Sequence, residues 1–457
     1  MMREEMDRLL VVPSTGRPLS TGRPNGGRKL SADLVIVLGQ AFLSECSRGI
    51  VMAGLSPYLH HMVPSPGDAH RHLAVAVSLF SVGRLVSSIP YGYLVDWTNS
   101  TRDTLILSTL VTIVGSILYM VGSLLGDRPH AVHCILASRF ISGFGSGTLS
   151  ATRAFVVKVS RPEERTGYVS WNTLMQFAGL SMSPILPTLL ARLVQRPPYN
   201  WRYDEVYIPG MTIVTLNVVM LSLLAFCMRP VDPPRNVCDQ GPNTPSGRRF
   251  LQVRSPRAWT NLDAAFALFS FLNFSLRGVV GVAETVAAEE YQRLSTADDA
   301  GASVELSAEF LLILGLMGTL TFLSLHVLSR SFSAQALLLF GMAAILVGSV
   351  LVLPPVMNDR IALLQLGMGF IWSIGSPITQ VLTVSTYSQM MGRRPQGGAM
   401  GWLTTAGSLG RIVFPLLASC SLTLAHSIDI ATVTVSAVLI LVCSNAMTPA
   451  KSAGPPV

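Results

Sequence analysis

The chain has 457 residues, of which 50% are apolar and only 13% charged, and its formal net charge is +8. A soluble protein carries about a quarter charged residues, so a water-covered fold of two or three domains is excluded and the length is spent on membrane helices of about 20 residues each. The basic residues are not interleaved with aromatics, which excludes a nucleic-acid surface and leaves the charge as a signal of topology.

Residues 1–32, rich in Arg, Gly, Pro and Ser, read as a disordered tail. Twelve apolar segments follow: 33–59, 72–95, 103–125, 131–157, 165–192, 206–228, 261–290, 305–329, 333–354, 360–390, 397–424 and 427–447. The first has a charged interior, so it is not a cleaved signal peptide. Residues 229–260 have the composition of a linker, residues 293–304 form a polar loop, and residues 448–457 form a tail. The expectation is an all-α integral membrane fold. Its two pseudo-symmetric six-helix halves are residues 33–228 and 261–447. Loops on the side of the N-terminus hold most of the loop Lys and Arg, which places both termini in the cytosol.

The halves repeat one another. Residues 42–51 (FLSECSRGIV) match residues 271–280 (FLNFSLRGVV) 229 residues later, and residues 140–146 (FISGFGS) match residues 370–376 (FIWSIGS) at an offset of 230. Ala178-Gly179 faces Ala406-Gly407, and Pro184 faces Pro415. Duplicated halves that enclose a site at their interface are a plan of membrane carriers.

Six arginines fall within the predicted spans: Arg48, Arg84, Arg139, Arg153, Arg277 and Arg411. A central arginine costs about 2.5–3.5 kcal/mol to insert, so each must face a partner or a cavity. The clearly intramembrane acids are Glu45 and Glu284, with Glu289 and Glu290 near a helix end. The surplus of cations points to an anionic solute or bound chloride. Arg48 and Arg277 are equivalent under the repeat, and with Arg139 and Arg411 they are the candidate solute-binding residues. Glu45 and Arg48 share a helix face at i, i+3. Glu284 lies two turns after Arg277, with no arginine within one turn. Either glutamate is a candidate proton-coupling group, Glu284 the better, against a permanent salt bridge as the other reading. Arg153 is expected near the cytosolic face, snorkelling or paired with Glu163. Arg84 is expected to brace the region of Asp96. His60, His61, His70 and His72 gather in one loop, as a pH sensor or merely solvated.

The glycines of the fourth and eleventh segments read as packing residues, and Pro184, Pro377 and Pro415 as kinks. Cys46, Cys134, Cys227, Cys420 and Cys443 lie in or near spans and Cys238 in the linker, with no spacing for zinc or a disulfide frame. The sequons at Asn99 and Asn273 fall on the cytosolic side and inside a helix. No catalytic triad or nucleotide loop is present, since the Gly-Ser-Gly of residues 145–147 belongs to a helix. The expectation is therefore no enzyme, no metal and no cofactor.

Gly92-Tyr93-Leu94-Val95-Asp96 has the form G-x-x-x-D, although Trp97 replaces the usual basic residue. Arg139, Gly143 and Gly145 have the form R-x-x-x-G-x-G. Pro162-Glu163-Glu164-Arg165 follows in the next loop, and Gly179 with Ser183-Pro184 is a degraded antiporter motif. As a set over about residues 33–447 these resemble the major facilitator superfamily. That resemblance implies a cavity lined by the first and seventh helices. It also implies a cytosolic latch of Asp96 with the 161–165 loop, so that Asp96, Arg153, Glu163 and Arg165 are the candidate gating residues. Arg139 resembles a family arginine often paired with an acid, so a structural pair with Glu45 stands beside a solute role.

Glu284-Thr285, Arg394-Pro395-Gln396-Gly397 and Gly410-Arg411-Ile412 resemble a branch with lysosomal ceroid-lipofuscinosis carriers and SPX-domain vacuolar phosphate carriers. An SPX domain does not fit in 32 residues. The branch implies an endolysosomal or vacuolar membrane and movement of an anion such as chloride. Glu5, Leu9 and Leu10 have the spacing of an acidic dileucine signal, read by sorting adaptors. The expected function is a secondary carrier, monomeric, moving a small anionic solute by alternating access with possible proton coupling. The alternative is an anion channel on the same scaffold.

Overall fold

The computed structural model describes residues 26–63, 65–125, 128–160, 165–183, 186, 206–230, 261–294, 300–358, 360–391 and 396–443. Glu5, Leu9, Leu10, Glu163, Pro184, Cys238 and most of the linker lie outside these residues.

Twelve long helices traverse the bundle among the described residues. In the first half they are α1 (Gly26–Met62), α2 (Pro66–Thr98), α3 (Thr101–Leu124), α4 (Arg128–Gly145 continuing as Leu149–Val159), α5 (Arg165–Met182) and α6 (Ile208–Cys227). In the second they are α7 (Asn261–Leu294), α8 (Ala300–Ser331), α9 (Ala334–Val352), α10 (Ile361–Met391), α11 (Gly397–Cys420) and α12 (Leu422–Val442). Ten of them are long and apolar enough to cross a membrane. The other two are α4, which carries Arg139 and Arg153, and α5, which buries Asn172 and Gln176. Both are polar because their neighbours are helices and not lipid.

Local chemistry sets the ends. Ser100, Ser333 and Ser421 cap α3, α9 and α12 by accepting the N–H of Asp103, Ala336 and Leu424. Pro66 opens α2, and Asn99 closes it in the left-handed conformation at φ 52°. Two helices change gauge midway. A single 3-10 turn, Ser146–Thr148, interrupts α4. A π-helical turn, Gly369–Gly375, interrupts α10. The second explains what becomes of the expected kink at Pro377. Proline has no N–H to give the carbonyl four residues back, and its ring crowds that carbonyl, so the helix widens just ahead of it.

Both halves pack by the same device. A Cβ on Gly179 of α5 would lie 2.1 Å from the carbonyl oxygen of Phe42 on α1. A Cβ on Gly410 of α11 would lie 2.1 Å from that of Phe274 on α7. Only glycine lets these backbones approach so closely. Between the halves, α2 packs on α11, α5 on α8 and α10, and the second segment of α4 on α11.

Candidate functional site

The polar centre of the bundle is a chain of alternating charge. Arg84 of α2 donates from Nη1 to Glu45 Oε1 at 2.8 Å and from Nε to Ser146 Oγ at 3.0 Å. Arg48, one turn after Glu45 on α1, donates from Nε to Glu45 Oε2 at 2.8 Å. The same guanidinium crosses to the other half, where Nη1 pairs with Glu284 Oε2 and Nη2 lies 3.2 Å from Oε1. Arg411 of α11 completes the row, its Nη2 2.9 Å from Glu284 Oε1. All five side chains are buried. The row Arg84–Glu45–Arg48–Glu284–Arg411 thus ties α2, α1, α7 and α11 together.

Three further arginines flank it. Arg277 lines the central cavity with Arg48, Glu284 and Arg411, is 8% exposed, and has no hydrogen-bond or ion-pair partner among the described residues. Arg139 stacks on the Phe80 ring, 4.7 Å from its centroid, and its Nε is unpartnered. Arg153 donates to Thr404 Oγ1 at 3.1 Å and to Gln176 Oε1 at 3.3 Å. Six guanidiniums thus surround two carboxylates in a setting of low dielectric. The cavity holds about 20 Å³, room for one water molecule. Gln176, Gln380 and Trp372 also line it.

Several expectations need correction. Arg153 is not at a helix end or snorkelling. It is 2% exposed, between the halves, because the second segment of α4 packs on α11. Arg139 does not pair with Glu45, whose oxygens are taken by Arg48 and Arg84. Arg84 braces Glu45 and not the region of Asp96. Glu284 is as fully compensated as Glu45, by Arg48 from the other half and Arg411 from α11. His72 is a surface residue, its Nδ1 2.7 Å from the Asp68 carbonyl. The side chains of His60 and His70 are outside the described residues.

One buried pair has no counterpart in the sequence reading. His426 Nδ1 lies 3.2 Å from Asp429 Oδ2 on α12, and both side chains are 1% exposed or less. An Asp and a His at i, i+3 in an apolar span is a readable signal. It was hidden because the predicted boundary at 424–427 put His426 in a loop.

Call the face where α1 begins and α12 ends the terminal face. There Asp96, at the end of α2, accepts the backbone N–H of Gly397 at 3.1 Å and of Gly398 at 2.8 Å. Its charge sits on the N-terminus of α11, where the helix dipole favours an anion. Arg165 donates to the Ser388 carbonyl at 3.1 Å, and Thr166 Oγ1 lies 2.7 Å from Ser385 Oγ. These contacts close the terminal face by joining one half to the other. Asp96→Asn is expected to loosen it, since the amide keeps the shape and loses the charge. A charge at a helix N-terminus is worth about 0.3–1 kcal/mol, up to ~2 when partly buried. A cysteine placed at Ser385 should then alkylate roughly two- to thirtyfold faster. An unchanged rate would refute the latch.

Residues 37–415 match the family described as Major Facilitator Superfamily. The chain is 24% identical over 440 residues to Major facilitator superfamily domain-containing protein 8 of Xenopus laevis, covering 83% of each chain. It is 30% identical over 151 residues to Monosaccharide-sensing protein 2 of Arabidopsis thaliana, covering 33% of this chain and 19% of that one. Among solved structures, the human organic anion transporter MFSD10 (TETRAN) superposes with a TM-score of 0.63 at 16% identity, covering 93% of this chain and all of that one. The proton:xylose symporter XylE bound to 6-bromo-6-deoxy-D-glucose superposes with a TM-score of 0.66 at 13% identity, covering 91% and 96%. At these identities the two structures speak for the fold alone.

Proposed function

The chain belongs to the major facilitator superfamily and is a multi-pass membrane transporter, and from that premise we propose that it carries a small anionic solute by alternating access. The observation behind this reading is Arg277, a buried guanidinium on the cavity wall with no carboxylate partner among the described residues. A cation in that state attracts an anion. Arg411 adds two unpartnered donors, Nε and Nη1. Arg48 and Arg139 complete the set.

In this scheme Glu45 and Glu284 hold the arginines while the cavity is empty. An arriving anion competes for Arg411 and Arg48 and releases Glu284. A carboxylate left buried without its cation is costly, and taking a proton relieves that cost. Anion binding and proton uptake are thereby coupled through one residue. Asp96 and Arg165, with Glu163, gate the terminal face, and Arg153 joins the two halves deeper in. A cavity of about 20 Å³ behind a latched face supports a carrier over an open conducting path.

The test is uptake into proteoliposomes from a panel of labelled organic and inorganic anions, with neutral and cationic solutes as controls. Saturable uptake and counterflow of an anion is expected, faster when the donor side is acidic. Glu284→Gln should flatten that pH profile. Uptake confined to neutral or cationic solutes would overturn the reading, and unitary currents would point to an anion channel.

The proposed residence is an endolysosomal membrane with both termini in the cytosol. It rests on the branch resemblance and on Glu5, Leu9 and Leu10 in the N-terminal tail. Changing Leu9 and Leu10 to Ala is expected to move the protein toward the plasma membrane, as seen by surface biotinylation. An unchanged surface fraction would remove the sorting signal from the argument.

A further inference from the structure

A second cavity, of about 380 Å³, lies wholly within the second half, between α7, α8 and α10. That volume is in the range of sites for organic ligands. The cavity shares no lining residue with the central one. It opens sideways, since Ile313, Met317 and Leu366 on its wall are 56%, 46% and 52% exposed. In a membrane that exposure is to acyl chains. An apolar groove of this size does not hold water, and left empty its walls forfeit their dispersion contacts.

The groove has a direction. Glu309 stands at the first residue of the span Glu309–Ser329, and Gln365 lies one turn into α10. These two form a polar rim at the membrane boundary opposite the terminal face. Deeper in, the walls are Phe310, Ile313, Leu314, Met317, Phe370 and Ile374. Tyr291 and Phe310 stack in parallel at 4.4 Å to make one side. The floor is the π turn of α10, where a Cβ on Gly369 would meet nothing within 4 Å. Head at the boundary and chain below is the shape of an amphiphile.

Charge selects among amphiphiles. Glu309 is the one charged residue in the described lining and has no partner there. Arg360, just ahead of α10 and exposed, stands at the same boundary. A carboxylate on the rim for the amine, with a guanidinium at the same boundary outside the lining for the phosphate, fits a zwitterionic head. We propose that this groove binds a membrane lipid whose headgroup carries a protonated amine. Its place matters, because the π turn that floors the groove presents Trp372 to the central cavity. A lipid seated there bears on the wall of the transport site.

The experiment is native mass spectrometry of the full chain in mild detergent, titrated with phosphatidylethanolamine or phosphatidylglycerol. Wild type should retain the amine-bearing lipid about fivefold better, the worth of a partly exposed charge pair. Glu309→Gln should bring it down to the level of phosphatidylglycerol. Gly369→Leu should fill the floor and lower retention of both lipids, with the thermal midpoint checked to show that the fold survives. Equal retention of the two lipids by wild type, or a preference for phosphatidylglycerol, would overturn the proposal. So would retention unmoved in either variant.

Discussion

Arg277→Gln is expected to reduce anion uptake by roughly 10- to 150-fold, the worth of about 1.5–3 kcal/mol in a charge-assisted hydrogen bond, while leaving the thermal midpoint nearly unchanged. The two halves of that expectation have separate causes. Arg277 contributes to no ion pair among the described residues, so its removal strands no carboxylate. Its desolvation cost also disappears with the charge, which offsets lost packing. What is lost is the unpaired donor on the cavity wall. Arg277→Lys should recover part of the uptake, because a point charge keeps the attraction without the planar fork. Wild-type uptake in Arg277→Gln would show that the solute does not use this residue.

Arg48 is equivalent to Arg277 in the repeat and should behave in the opposite way. It serves Glu45 on its own helix and Glu284 across the interface. Arg48→Gln leaves two buried carboxylates short of a cation, and removing one member of a buried pair costs about 3–5 kcal/mol. The expected result is a sharply lowered thermal midpoint and poor recovery from the membrane, before any transport is assayed. Replacing both residues by Gln is therefore expected to fail in folding and not in transport alone. Adding Glu45→Gln and Glu284→Gln to Arg48→Gln is not expected to rescue it, since Arg84 and Arg411 then lose their carboxylates. If Arg48→Gln is as stable as wild type, the row of charges does not hold the fold.

The fold was legible because most membrane spans announce themselves by length and apolarity, and each of the twelve segments overlaps a helix among the described residues. What local sequence could reach in the site was also legible: Glu45 and Arg48 at i, i+3 do meet. Partners set by how helices are rotated against each other were not. Arg48 and Glu284 are 236 positions apart, and nothing in the spacing of α7 says that Glu284 pairs with arginines of α1 and α11. Arg153 was misjudged for a similar reason. Its distance from a helix end suggested the surface, but burial is decided by the neighbour, and α11 lies over it. His426 was lost to a boundary error of a few residues.

The repeated phrase at residues 140–146 and 370–376 runs into a 3-10 turn in one half and overlaps a π turn in the other. These distort a helix in opposite senses. Three residues at three per turn carry the rest of α4 about 60° ahead of a continuous α-helix, while the wider π turn makes the rest of α10 lag. Arg153 and Thr383 are aligned by the repeat, yet they come out at different azimuths on their helices. Duplication thus preserved the wording of the two halves and not the bearing of their side chains. A tandem of two first halves would match letter for letter and aim its polar groups the wrong way.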